Sequence, residues 1–121
     1  MSLIYNNGNI YCKKGEHGIG VFCKFPIKKN ELIELGIMYI INGVDGNYNE
    51  HLFNWSDDRK TWAAASGMIP WYNHSDTPNI KKVGNLVNNT MEIYALKDIE
   101  IDEELCNTYI SKNWRKCFSY F

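Results

Sequence analysis

Short runs of alternating apolar and polar residues make up most of this chain, and turn-forming residues separate them. The longest run covers residues 31–41, and a second, at residues 79–96, is interrupted by Asn88 and Asn89. Alternation with a period of two is typical of half-buried β-strands, and asparagine favours the turns that join them. The pattern therefore predicts a chain built mainly of short strands.

The remaining segments predict further strands and turns, with one ambiguous region. Residues 3–12 predict a strand, a turn at 6–9 and a second strand; residues 13–20 predict a glycine-containing loop before a strand at 21–25. Residues 26–30 predict a polar turn and residues 42–49 a loop. Residues 50–67 contain tryptophans and the run Ala63–Ala65, which favour short helical turns over strands.

The C-terminal quarter predicts an acidic turn, a strand and a short helix. The turn covers residues 98–104 and the strand residues 105–110, and Ser111 is a candidate N-cap for a helix through Trp114. No strand–helix alternation is visible along the chain. The sequence thus predicts one mainly β domain over residues 1–121, since this length supports a single core.

Composition narrows the classes of partner. The formal net charge is −1, which argues against nucleic acid as the primary ligand because phosphate binding needs a basic face. The pairs Lys28–Lys29 and Lys81–Lys82 predict solvated turns. No apolar run approaches the ~20 residues that span a bilayer, and the N-terminus lacks a secretory signal pattern. We expect a soluble intracellular protein, in the cytoplasm or a host nucleus, without a membrane partner.

Cysteine spacing and codon-related bias add two smaller expectations. Zinc ligands normally come in close pairs, whereas the four cysteines here are far apart, so we expect no metal and reduced thiols. Arginine occurs only at Arg59 and Arg115 while Asn, Ile, Lys and Tyr are abundant. This bias is expected of an AT-rich genome, as in a virus or microbe.

Three short segments carry the chemistry. The sequence Asn-His-Ser-Asp-Thr-Pro-Asn covers residues 73–79, directly after an apolar run, and Asp-Glu-Glu-Leu-Cys-Asn-Thr-Tyr covers residues 102–109. Gly-Ile-Gly stands at residues 18–20. Together they resemble the SET domain of protein lysine methyltransferases, most closely the minimal SET proteins of viruses and bacteria. The resemblance implies a β-clip fold with a threaded C-terminal segment, S-adenosylmethionine as cofactor, and a lysine of a basic peptide or histone tail as substrate.

The resemblance also implies roles for individual residues. Tyr109 corresponds to the catalytic tyrosine of the family. Residues implied in cofactor binding are Gly18, Ile19, Gly20, Asn73, His74 and Trp114. Residues implied in the substrate channel are His51, Tyr72 and Asn107. Plainer interpretations stay open: a tight turn at the glycines, a surface position for His51, and core packing for Trp114.

Departures from the family pattern leave a second function open. Asn107 stands where many relatives have Phe or Tyr, Thr108 replaces a more usual Asp, Gly or Ser, and His51 replaces a Tyr. The number of methyl groups added is therefore open. The alternative is a catalytically inactive β-clip module that binds a peptide or protein partner. The apolar tail at residues 118–121 predicts either closure of the lysine channel or a homodimer contact.

Overall fold

Residues 3–109 are described by the computed structural model. Within this range the chain forms ten strands and two 3₁₀ helices. The strands are β1 (Tyr5–Asn6), β2 (Ile10–Gly15), β3 (Gly18–Cys23), β4 (Leu32–Ile40), β5 (Phe53–Asn54), β6 (Trp62–Ala65), β7 (Asn73–His74), β8 (Ile80–Asn85), β9 (Thr90–Ala95) and β10 (Glu104–Asn107). The 3₁₀ helices span Gly46–Tyr48 and Ile69–Trp71. The predicted mainly β class is confirmed.

The larger sheet is organised around the longest strand. Its order is β5-β6-β4-β9-β8, and β1 also pairs with β4. The predicted long strand at 31–41 is confirmed as β4, and the predicted pair around Asn88 and Asn89 is confirmed as the hairpin β8–β9. Asn89 adopts a φ of 53°, a left-handed conformation that asparagine tolerates better than most residues.

The smaller sheet brings the two polar segments together. Its order is β2-β3-β10-β7, with β10 antiparallel to β3 and parallel to β7. The parallel register places Cys106 opposite Asn73 and Asn107 opposite His74. Two segments that are about thirty residues apart in sequence thus become neighbours at one end of the sheet.

A single apolar core joins the two sheets over residues 3–109. Its members come from both sheets and from the 3₁₀ helix at Ile69–Trp71, and several are fully buried: Val21, Ile33, Ala63, Ile69, Tyr72, Ile93 and Leu105. Alternation explains this arrangement, because every second residue of β9 and β10 faces inward. The core thereby fixes β10 and the chain after it against Tyr72.

The N-terminal strands follow the prediction only in part. The predicted strand, turn and strand of residues 3–12 contain β1 and the start of β2, but β1 pairs with β4, Tyr5 lying opposite Leu35. The predicted loop at 13–20 is instead the hairpin β2–β3, which closes through Glu16 and His17. Gly18 has a φ of +83°, the kind of conformation that tight hairpin turns require and that glycine adopts without strain.

The prediction of helical turns in residues 50–67 is also wrong. Ala63–Ala65 lies in β6 and pairs with the end of β4, Ile40 lying opposite Ala63. Tertiary packing overrides the helical propensity of alanine here, since Ala63 is fully buried in the core. Lys81 and Lys82, predicted in a solvated turn, lie in strand β8.

Several predictions fall on residues that the structure does not describe. The C-terminal helix, Trp114, the tail at 118–121 and most of the threaded segment lie outside residues 3–109. Over the described range, no helix is both long enough and apolar enough to cross a membrane.

Candidate active site

Two cavities meet at Tyr109. The first, of about 610 Å³, has the β2–β3 turn on one side and the polar segment after Tyr72 on the other; its lining includes Gly18, Ile19, Trp71, Asn73 and His74. The second, of about 440 Å³, is lined mainly by aromatic and apolar side chains, among them Phe53, Trp55, Tyr72 and Met91. Because Tyr109 lines both, its side chain stands where the two cavities adjoin.

Tyr109 is held at three points. Its hydroxyl donates a hydrogen bond to the main-chain carbonyl of Tyr72 at 2.6 Å, and its main-chain N–H donates to Nδ1 of His74 at 2.9 Å. The His74 ring also meets the Tyr109 ring edge-on, with the centroids 5.2 Å apart. These contacts fix both the backbone and the hydroxyl of the tyrosine, which is the arrangement that a positioning hydroxyl needs.

The contacts of His74 define the tautomer of its neutral ring. Nδ1 accepts the N–H of Tyr109, so the ring proton of the neutral imidazole is on Nε2, which lies 2.9 Å from Oδ1 of Asp76. Both ring nitrogens are therefore used in placing Tyr109 and the turn. The neighbouring Ser75 hydroxyl instead accepts the main-chain N–H of Thr77 at 3.0 Å.

Asn73 connects three strands beside the first cavity. Its Nδ2 donates to the carbonyl of Ile19 on β3 at 3.2 Å and to Oε2 of Glu104 on β10 at 2.8 Å. Gly20 lies against this pair. An added Cβ there would come within 2.4 Å of Oε2 of Glu104 and 2.8 Å of Nδ2 of Asn73. A side chain at this position would therefore require the Glu104 carboxylate and the Asn73 amide to shift.

Asn107 presents an unsatisfied acceptor next to the second cavity. The residue is 7% exposed, and its Oδ1 is the one buried side-chain oxygen or nitrogen of residues 3–109 without a hydrogen-bond partner. Its amide group makes only a 3.3 Å contact with the carbonyl of Thr108. A buried acceptor without a donor is unfavourable by about 1–3 kcal/mol. A ligand that brings an N–H group into this cavity would satisfy Oδ1.

Glu34 is a buried carboxylate that binds Tyr72 in the wall of the second cavity. This carboxylate is 2% exposed; it accepts the Tyr72 hydroxyl at 2.7 Å and the main-chain N–H of Met68 at 2.8 Å. Burial raises the pKa of Glu34, while its two hydrogen bonds and Lys82 oppose the change. Burial, with the adjacent Glu34 carboxylate, raises the pKa of Tyr72 well above its usual value, so the phenol stays neutral and donates.

Lys82 extends into the second cavity from β8. Its Nζ lies 4.6 Å from the ring centroid of Phe53, 5.7 Å from that of Tyr72 and 5.9 Å from that of Tyr109. Although the residue as a whole keeps partial solvent contact, its ammonium is enclosed by these rings. Burial lowers its pKa from 10.5 to about 7, and the negative charge of Glu34 opposes the fall. This cavity therefore favours neutral amines.

The structure separates the residues that the sequence predicted for the site into two groups. Gly18, Ile19, Asn73 and His74 line the first cavity; Tyr72 and Asn107 line the second. Gly20 lies behind Asn73. His51, predicted for the substrate channel, lines the first cavity instead, with its ring 4.7 Å from that of Trp71. Trp114 lies outside the described residues.

Sequence reasoning missed most residues of the second cavity, among them Phe53, Trp55 and Lys82. For Lys82 a signal was present, because alternation in β8 places it on the same face as the buried Ile80.

No group of three or more His, Cys, Asp or Glu residues suited to a metal ion occurs within residues 3–109.

Comparisons with known proteins match most of this chain. The family model described as "SET domain" matches residues 18–110. A curated relative in Schizosaccharomyces pombe, the histone-lysine N-methyltransferase specific for lysine 37 of H3, is 30% identical over 80% of this chain and 69% of its own length.

Solved structures show the same fold. The crystal structure of a candidate histone methyltransferase from Plasmodium falciparum has 33% identity and a TM-score of 0.65, covering 84% of this chain and 96% of that one. Chaetomium thermophilum Polycomb Repressive Complex 2, in an autoinhibited conformation bound to S-adenosylmethionine, has 20% identity and a TM-score of 0.67. That match covers 84% of this chain and 15% of the other, and it shows the fold alone.

Proposed function

This chain belongs to the SET-domain family, and from that premise we propose that it is an S-adenosylmethionine-dependent protein lysine N-methyltransferase. The observation that carries the proposal is the position of Tyr109 between a polar cavity and an aromatic one, with its hydroxyl bound to the Tyr72 carbonyl. Such a reaction needs two reactants that approach each other from separate sites. The two adjoining cavities provide that arrangement.

The first cavity suits the cofactor. Its volume of about 610 Å³ lies within the ~300–1,000 Å³ typical of small-molecule sites. Gly18 leaves one side open, since a Cβ there would meet nothing within 4 Å. The backbone of Gly18 and Ile19, the ring of Trp71, and the polar groups of Asn73 and His74 would hold the cofactor. When bound, S-adenosylmethionine supplies a methyl group activated by its attachment to a sulfonium.

The second cavity suits the lysine side chain. Its aromatic lining would enclose the methylene chain, and Oδ1 of Asn107 is available to accept an N–H of a neutral amine. A lysine amine in water has a pKa of ~10.4 and must lose its proton before it can act as a nucleophile. The low pKa of Lys82 in the same cavity, about 7, indicates how far this environment can lower that of an amine.

The residues of this chain would contribute binding, orientation and exclusion of water. Tyr109 would orient the amine with its hydroxyl, which the Tyr72 carbonyl holds in place, while His74 holds the main-chain N–H of Tyr109. Asn107 Oδ1 would accept a hydrogen bond from one N–H of the neutral amine and leave the nitrogen lone pair directed towards the first cavity. Orientation and desolvation of this kind can supply several powers of ten in rate.

The substrate that we propose is a lysine in a histone tail or another basic peptide. The relatives named above are described as histone methyltransferases. A run of acidic residues before β10, at residues 98–104, would attract a basic segment. The peptide would bind as an added strand at a sheet edge.

The test is a pair of matched tyrosine variants. Tyr109→Phe should bind S-adenosylmethionine as the wild type does and lose most of its methyl transfer to histones, because only the positioning hydroxyl is removed. Tyr48→Phe is the control, since Tyr48 is 72% exposed and lines neither cavity. Unchanged transfer by Tyr109→Phe would refute the role of Tyr109. A folded wild-type protein that binds no S-adenosylmethionine would instead favour a peptide-binding module without catalysis.

A further inference from the structure

The second cavity already contains an amine, that of Lys82. Residues of β8 alternate between its two faces, and Lys82 shares with the buried Ile80 the face that packs towards β10 and Tyr72. In β9 its register partner is Ile93, which is fully buried. A lysine at this strand position has its side chain directed towards the interior, where an apolar residue would be expected.

The surroundings of the Lys82 amine are those that a bound substrate lysine requires. Three aromatic rings lie within 6 Å of Nζ and enclose the amine. Nζ donates a long hydrogen bond of 3.4 Å to the carbonyl of Ile69. No carboxylate of residues 3–109 forms an ion pair with Lys82. Among these residues, the Lys82 amine therefore has aromatic neighbours but neither a short hydrogen bond nor an ion pair.

We propose that Lys82 is a specificity-determining residue of the substrate channel: its amine occupies the site of the incoming lysine amine, and an incoming lysine binds when Lys82 is neutral and has moved aside. This inference rests on the proposed function, because the second cavity is a lysine channel only in a lysine methyltransferase. Two ammonium groups in one aromatic cavity would repel each other strongly. Protonated Lys82 therefore excludes the substrate, and neutral Lys82 admits it.

The pH at which the channel opens depends on the groups that face the Lys82 amine. Glu34, from β4, is a buried acid whose charge acts on the Lys82 amine, and the rings of Tyr72 and Tyr109 complete the inner wall. The charged residues at the mouth are Glu50, Asp57 and Arg59. Since burial lowers the pKa of Lys82 to about 7, substrate affinity should rise as the pH increases through neutrality.

The first part of the test locates the Lys82 amine directly. Carbon-13 labelling of lysine side chains in the full chain, with signals assigned by Lys82→Met and Lys81→Met, gives the titration of each amine and its contacts by NMR. We expect the Lys82 signal to titrate near pH 7 and to show contacts with the ring protons of Phe53. An ordinary lysine titration, or no aromatic contact, would overturn the proposal.

The second part measures competition with n-butylamine, which has the chemistry of a lysine side chain. At about pH 6 we expect Lys82→Met to bind n-butylamine at least tenfold more tightly than the wild type, with the difference narrowing by about pH 9. Lys81→Met is the matched control, because Lys81 is exposed on the opposite face of β8, and it should behave as the wild type. Equal affinities at both pH values, or no binding to Lys82→Met, would overturn the proposal.

Failure of this inference can be told apart from failure of the proposed function. S-adenosylmethionine binding is measured on the same three proteins. If all three bind it while Lys82→Met gains no affinity for n-butylamine, the channel role of Lys82 is wrong and the methyltransferase proposal stands. If none binds it, the methyltransferase proposal fails, and the inference that rests on it fails too.

Discussion

Replacing Lys82 by methionine should stabilise the protein, and more at about pH 6 than at about pH 9. Burial lowers the pKa of the Lys82 ammonium from 10.5 to about 7. At every pH at which Lys82 is charged in the unfolded chain, its burial therefore lowers the free energy of unfolding. Methionine has a similar length and no charge. The variant keeps the contacts with Phe53 and Tyr72 and loses the penalty.

The magnitude follows from the linkage between protonation and folding. Each unit of pKa corresponds to ~1.4 kcal/mol, so a fall from 10.5 to about 7 sets a ceiling of about 5 kcal/mol below neutral pH. Lys82 keeps partial solvent contact, and screening reduces the expected gain to roughly 2–3 kcal/mol. Between about pH 7 and 10.5 the unfolded chain binds this proton and the folded chain does not. Wild-type stability therefore rises with pH, and the gain from Lys82→Met shrinks.

The assay is urea unfolding followed by tryptophan fluorescence, with wild type, Lys82→Met and the exposed control Lys81→Met compared at each pH. Taking the difference between variants cancels the titration of all other groups. We expect the advantage of Lys82→Met over the wild type to be larger by about 1–2 kcal/mol at pH 6 than at pH 9. The same difference at both pH values would refute the conclusion that the Lys82 amine is buried and has a lowered pKa.

Three further predictions concern positions where the structure leaves little freedom. Gly20→Ala should weaken S-adenosylmethionine binding at least tenfold by calorimetry, because the new Cβ would separate Asn73 from Glu104; unchanged affinity would show that this contact is unimportant. Trp55→Phe should destabilise the fold by about 1–2 kcal/mol in urea unfolding, because it removes the 2.9 Å hydrogen bond to Asn89. Glu34→Gln should destabilise it by roughly 1–3 kcal/mol in the same assay, since the amide cannot accept both bonds that the carboxylate accepts; a stability equal to the wild type would contradict that reading.

The alternation of apolar and polar residues predicted individual strands but not how all of them pair. Alternation located β4, β8 and β9, because each has one buried face. It could not predict the pairing of β1 with β4 or of β10 with β7, since these contacts are set by the packing of the whole chain. Ala63–Ala65 shows the same limit: its helical propensity is weaker than the pairing of β6 with β4.

The residues of the candidate site were also predicted only in part. The motif around Asn73 and the segment ending in Tyr109 were visible in the sequence, whereas the pairing of β7 with β10 that joins them was not. Lys82 and Phe53 were missed because a lysine pair normally indicates solvent and because a two-residue strand leaves almost no pattern. Neither residue is conspicuous until the sheet brings it beside Tyr109.

The measurement that tests the central proposal most directly is calorimetric titration of the folded chain with S-adenosylmethionine. We expect saturable binding at one site per chain, weakened at least tenfold by Asn73→Ala, because this variant removes the link between β3 and β10 beside the first cavity. Asn88→Ala, in the exposed turn between β8 and β9, should leave the affinity unchanged. The absence of binding to a wild-type protein shown to be folded would contradict the assignment of this chain as a methyltransferase.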